Sequence, residues 1–143
     1  MISDLGHTAL AAHDLDASLA FYAKLGLHEA FRLHHADGRL MLVYLHVGGD
    51  RFLELFPGGP PPEPGRVQSF KHVCLLTDDL VGTVERLRAA GVAIDREPKE
   101  GLDGNLQAWI SDPDGNAIEL MQLVEASPQR KISRGEKVGQ AGG

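Results

Sequence analysis

The chain of 143 residues has a single cysteine, Cys74, and so cannot close a disulfide on itself. That fits a reducing compartment and excludes the disulfide-stapled scaffolds of small secreted proteins. Positive charge is in the minority, with 14 Lys and Arg against 20 Asp and Glu and a formal charge of −6. A surface of that sign repels phosphate backbones, so nucleic acid is not expected as a partner. No apolar run approaches the roughly 18 residues of a membrane-spanning helix. The start, Met1-Ile2-Ser3-Asp4-Leu5-Gly6-His7, lacks the basic and apolar regions of a secretory leader. Aromatic residues are sparse, at 6%, with one tryptophan. The absences together leave a soluble, cytoplasmic protein whose length suits one domain.

What is present is a duplication. A shift of 65 residues lays His7 on His72, Asp14 on Asp79, Leu19 on Val84, Tyr22 on Leu87, Gly26 on Gly91, Tyr44 on Trp109 and Glu54-Leu55 on Glu119-Leu120. His7 and Glu54 stand 47 residues apart, and so do His72 and Glu119. Each half reads in the same order. An apolar strand (5–12, then 70–77) precedes a helix with Asp14 or Asp79 as N-cap and apolar residues at helical spacing. Gly26 and Gly91 stand where a helix end favours a left-handed residue. Three strands follow, near 28–35, 39–48 and 51–56 in the first half and near 92–97, 105–111 and 116–123 in the second. The segment Asp112-Pro113-Asp114-Gly115 has the composition of a tight turn.

This pattern predicts an α+β fold of two tandem βαβββ modules forming a cupped, mostly antiparallel sheet with the helices outside. Module 1 spans about 5–56 and module 2 about 70–124, within a single domain of residues 1–125. The proline-rich stretch 57–69 is expected to be a stiff, semi-extended linker. The polar, glycine-rich residues 126–143 are expected to form a poorly ordered tail.

Strand alternation turns Glu54 away from Leu53 and Leu55, and Glu119 away from Ile118 and Leu120. The leucine faces suit packing against helices, which leaves both glutamates on the concave face. A single strand glutamate is usually solvent-facing and a single histidine usually structural. A His–Glu pair repeated at equal spacing is better explained as a ligand set. Two imidazoles and two carboxylates, from His7, Glu54, His72 and Glu119, suit one divalent ion per site, of Zn, Ni, Co, Mn or Fe. His13, His28, His34, His35 and His46 have no histidine counterpart and read as core or surface residues. Phe52 and Phe56 share the Glu54 face as candidate pocket walls; Tyr44, Gln107 and Trp109 join them from neighbouring strands.

With these residues in place, the chain resembles the vicinal oxygen chelate superfamily of glyoxalase I, extradiol dioxygenases, drug resistance proteins and methylmalonyl-CoA epimerase. The resemblance runs from residue 5 to 124. It is carried by Gly6-His7-Thr8, by Asp14 to Tyr22, by Leu25-Gly26-Leu27 and Phe52-Leu53-Glu54-Leu55, and by Lys71-His72-Val73, Asp112 to Asn116 and Ile118-Glu119-Leu120. The fourth ligand, Glu54, makes it closest to glyoxalase I-like proteins. The resemblance implies a lyase or isomerase that takes an α-hydroxycarbonyl, hemithioacetal-type small molecule through an enediolate, with Glu119 or Glu54 as the base. It also implies a homodimer in which modules pair between chains. The alternatives it leaves are an extradiol-type Fe(II) dioxygenase, a methylmalonyl-CoA epimerase-like isomerase and a non-catalytic drug-binding protein. The chain departs from glyoxalase I at Ala11 and Gly58, where arginine and asparagine usually stand, so glutathione is expected to be bound poorly.

Overall fold

Two aspartates begin the two main helices, and two glycines end them. After β1 (His7–Ala12), the Asp14 carboxylate accepts the Ala17 N–H and starts α1 (Leu15–Lys24). Past the end of α1, Gly26 takes φ +80°, and the Leu27 N–H returns to the Tyr22 carbonyl. The chain then forms β2 (Glu29–His34), β3 (Leu40–Gly48) and β4 (Arg51–Pro57). The second half repeats the device. β5 (Val73–Leu76) leads to Asp79, whose carboxylate caps the Gly82 N–H at the start of α2 (Leu80–Ala89). Gly91 sits at φ +85° and the Val92 N–H bonds back to Leu87 O, a Schellman closure. β6 (Arg96–Glu100), β7 (Leu106–Ser111) and β8 (Ala117–Gln122) follow, and then a third helix, α3 (Pro128–Ser133). The computed structural model describes Met1, residues 4–67 and residues 70–139. Residues 68–69 of the expected linker and 140–143 of the expected tail lie outside these.

The α+β class and the repeated βαβββ order hold. Each module forms its own four-stranded sheet, ordered β1-β4-β3-β2 and β5-β8-β7-β6. Each is mixed: the first strand runs parallel to the last, and the other pairs are antiparallel. The chain divides into two compact units, Met1–Val67 with Asp112–Asn116, and Gln68–Ser111 with Ala117–Gly143.

In the first unit the core is Leu10, Tyr22, Val43, Leu45, Leu53 and Leu55, all under 9% exposed. Leu53 and Leu55 face α1, as alternation requires, and burying each contributes about 1.5–3 kcal/mol. The start of the linker is bound to this unit. The Gly59 N–H donates to Ala12 O at 2.9 Å, and a Cβ on Gly59 would collide with the Ala11 carbonyl. The turn Asp112–Asn116 is bound here too. Tyr22, fully buried, donates its hydroxyl to Asp112 Oδ2 at 2.7 Å. The other Asp112 oxygen accepts the Asp114 and Asn116 N–H groups. Asp114 accepts the Ser18 hydroxyl and the His13 N–H.

In the second unit Leu80, Val84 and Leu87 of α2 pack with Ala108, Ile110, Ile118 and Leu120 of β7 and β8. Three local expectations shift. β5 begins at Val73, which leaves His72 just before the strand: Val73 pairs with Ile118, and only Ala117 of β8 lies beyond it. β6 begins at Arg96 because Val92 is spent on the helix closure. The tail from 126, expected to be poorly ordered, carries α3, started by buried Ser127 as N-cap and Pro128 in the first turn. Its Gln129 accepts from buried Asn105 at 2.9 Å and donates to Asp103 at 2.6 Å.

Candidate functional site

The register places both glutamates in corresponding positions. Glu54 lies between Ala9 of β1 and Tyr44 of β3; Glu119 lies between Cys74 of β5 and Trp109 of β7. Glu54 is only 6% exposed and Glu119 only 8%. A buried carboxylate is costly without a partner, and each has one. His7 Nε2 stands 2.9 Å from Glu54 Oε2, and His72 Nε2 stands 3.1 Å from Glu119 Oε2. The imidazoles themselves are half-open, at 51% and 36% exposure. Each pair therefore presents a nitrogen and an oxygen side by side, buried behind and open in front. Among the described residues no group of three or more His, Cys, Asp or Glu side chains is gathered to hold a metal.

The donor chemistry fits a divalent ion. Two donors about 2.1 Å from one ion, at right angles, stand about 3 Å apart, which is the spacing within each pair. Without an ion, an imidazole Nε2–H on the carboxylate satisfies the same atoms.

Around the first pair is an aromatic wall. Phe31 stacks on Tyr44 with ring centroids 4.3 Å apart, and Phe52 meets Tyr44 edge-on at 5.7 Å. His46 lies 5.0 Å from Phe52, with Nε2 near Gly49 O. The Glu54 carboxylate raises the Tyr44 phenol above its ordinary pKa, chiefly through hydrogen bonding. Phe56 is on the same strand, half-buried, outside the aromatic contacts. Phe31 was not among the expected wall residues; its place opposite Tyr44 depends on the β2–β3 register, with shifts on either side of the paired stretch.

Around the second pair, His72 meets the Trp109 ring edge-on at 4.8 Å, and Trp109 Nε1–H donates to Gln107 Oε1 at 2.9 Å. All five expected pocket residues thus lie on the strands that carry or flank the glutamates. Cys74, beside Glu119, has its thiol pushed up to about 11, first by burial and then by the Glu119 and Asp103 charges. It stays a neutral thiol at physiological pH. A recess of about 340 Å³ opens between His72 and Trp109 and is also lined by Lys71, Asp95 and Arg96. Lys71 and Arg96 carry no signal in the duplication, since neither has a basic counterpart 65 residues earlier.

Two βαβββ units, each holding a buried glutamate against a histidine, define a two-module α+β protein. Residues 4–120 match the sequence model of the Glyoxalase/Bleomycin resistance protein/Dioxygenase superfamily, and the chain belongs to it. A protein from Vibrio cholerae named "Probable lactoylglutathione lyase" is 29% identical, over 84% of this chain and 91% of that protein. A protein of the same name from Synechocystis is 30% identical, over 81% of this chain and 92% of its own length. Among solved structures, an antibiotic binding protein from Streptomyces superposes with a TM-score of 0.69 at 30% identity, covering 86% of this chain and 98% of that one. No helix among the described residues is long and apolar enough to cross a membrane.

Proposed function

We propose that the protein is a metal-dependent lyase or isomerase of the glyoxalase I type, acting on a small α-hydroxycarbonyl or hemithioacetal substrate. His7, Glu54, His72 and Glu119 are its ligands for one divalent ion, and each His–Glu pair is half of the set. The observation that carries this reading is the twofold repetition of a buried carboxylate beside a half-open imidazole. Its similarity to lactoylglutathione lyases supports the same class.

When bound, the ion would supply Lewis-acid polarisation of a carbonyl and acidify the neighbouring C–H. The chain's own part is to move that proton. Glu119 or Glu54 would be the base; Tyr44 is the cross-strand neighbour of Glu54. Glu119 has the Cys74 thiol and the Trp109 ring for cross-strand neighbours. Ala11 and Gly58 offer no charge or amide to a glutathione carboxylate, so glutathione hemithioacetal is expected to turn over poorly.

Because each pair is open on one side, we infer that the halves complete one another across a homodimer, with His7 and Glu54 from one chain and His72 and Glu119 from the other. The test of the function is metal content together with solvent-deuterium incorporation across a panel of α-hydroxycarbonyls. The wild type should hold about one divalent ion per ligand set, and His72→Ala should lose both metal and turnover. Full metal occupancy in His72→Ala would overturn the assignment.

A second reading has its own observation. The Phe31–Tyr44 stack and the Phe52 edge form a wall suited to a flat apolar molecule, and the Streptomyces relative is an antibiotic binding protein. A non-catalytic binder would hold such a molecule and exchange no deuterium.

A further inference from the structure

We propose that the recess beside His72 is a subsite for a small organic oxyanion, and that the substrate of this protein carries such a group. Trp109 forms one wall. Arg96 lies opposite Trp109 in the β6–β7 register, with its guanidinium carbon 5.8 Å from the ring centroid. Lys71 reaches the recess from the residue next to His72. Among the described residues, neither Lys71 nor Arg96 is within salt-bridge distance of a carboxylate. The remaining charged wall is Asp95, and one of its oxygens is occupied by the Ser111 hydroxyl at 2.7 Å. Two cations without partners against one engaged carboxylate leave the recess net positive, although the chain as a whole is at −6.

The recess, at about 340 Å³, stands at the small end of ligand sites, which run from about 300 to 1,000 Å³. It suits a carboxylate or phosphate on a short body lying against the indole. A guanidinium held over an aromatic face keeps its outward N–H groups free for two-point contact with an oxyanion. Lys71, also lining the recess, adds a compact charge. The position of the recess beside His72 would orient the rest of the molecule toward the proposed ligands. Only that last step, which makes the oxyanion part of the substrate, rests on the reading under Proposed function; capture of the anion does not need the metal.

The chain's one tryptophan is Trp109, which forms a wall of the recess, so its fluorescence responds to what binds there. The full chain, kept in EDTA, is titrated with malonate and with 2-phosphoglycolate, and with uncharged malonamide as control. Both anions, or one, should give a saturable change, and malonamide none; which anion binds more tightly distinguishes carboxylate from phosphate. Arg96→Gln and Lys71→Gln should each weaken binding by about tenfold or more, as loss of a charge-assisted hydrogen bond does. Circular dichroism confirms that the variants fold. An equal response to malonamide, or unchanged affinity in both variants, would overturn the proposal. His72→Ala separates it from the metal reading. Metal retained with anion binding intact sinks the function and leaves the subsite, and metal lost with no anion binding in wild type does the reverse.

Discussion

Tyr22 is fully buried, and its hydroxyl ends on Asp112. Burial first, and then the Asp112 charge, raise its phenol far above the ordinary value near 10. A raised folded pKa means the contribution is complete below the unfolded value and is lost as pH climbs past about 10. Tyr22→Phe should therefore lower stability at neutral pH by about 1.5–3 kcal/mol, the worth of a hydrogen bond to a charged acceptor. It should also blunt the alkaline unfolding of the wild type; urea melts at pH 7 and pH 10.5 measure both. A neutral-pH midpoint equal to wild type would mean that the bond contributes nothing. At this scale the sequence reveals much about the candidate ligands, because His7, Glu54, His72 and Glu119 repeat at one spacing. Tyr22–Asp112 was hidden for the opposite reason. Its duplicated position is Leu87, and no local pattern links residues 90 apart.

The helices α1 and α2 were legible in the sequence because their signals are local: a capping aspartate, apolar spacing and a closing glycine. α3 was not, because what holds it is distant and polar. Asn105, Gln129 and Asp103 form a chain of hydrogen bonds that no hydrophobic period announces. Desolvation at Asp103 is outweighed by its bonds from Asn105 and Gln129, and its carboxyl is held below the usual range. A lowered folded pKa contributes stability above the unfolded value, near 3.9, and that contribution fades as pH falls through the folded one. Hydrogen exchange should show the α3 amides losing protection as pH drops below about 4. Gln129→Ala should remove their protection at pH 7 while leaving α2 unchanged. If α3 is equally protected in Gln129→Ala, the polar chain is not what holds it.

For the whole molecule, the duplication yields the βαβββ order and the class, and the superfamily match agrees with it. A repeat fixes order within a half, and each half forms its own four-stranded sheet. The proposed assembly is a homodimer whose sites are shared between chains. If the sites are shared in a twofold dimer, mixing His7→Ala with His72→Ala chains gives heterodimers with one intact site. An equal mixture with free exchange should recover about a quarter of wild-type activity, because half the dimers are mixed and each has one of two sites. A mixture that stays inactive although the chains demonstrably exchange would place each site within a single chain.

The turn Asp112–Asn116 belongs to the first compact unit although it lies in the second half of the sequence. On the ribosome, Tyr22 therefore appears 90 residues ahead of the carboxylate that receives its hydroxyl. At about 5–20 residues per second, the first half waits several seconds with a buried phenol unanswered and α1 lacking the support of Asp114. The nascent first module is in this sense an unfinished structure, completed by a segment translated late. A release of the chain anywhere before residue 112 leaves a fragment without that completing turn, and such fragments are natural clients for chaperones and proteases.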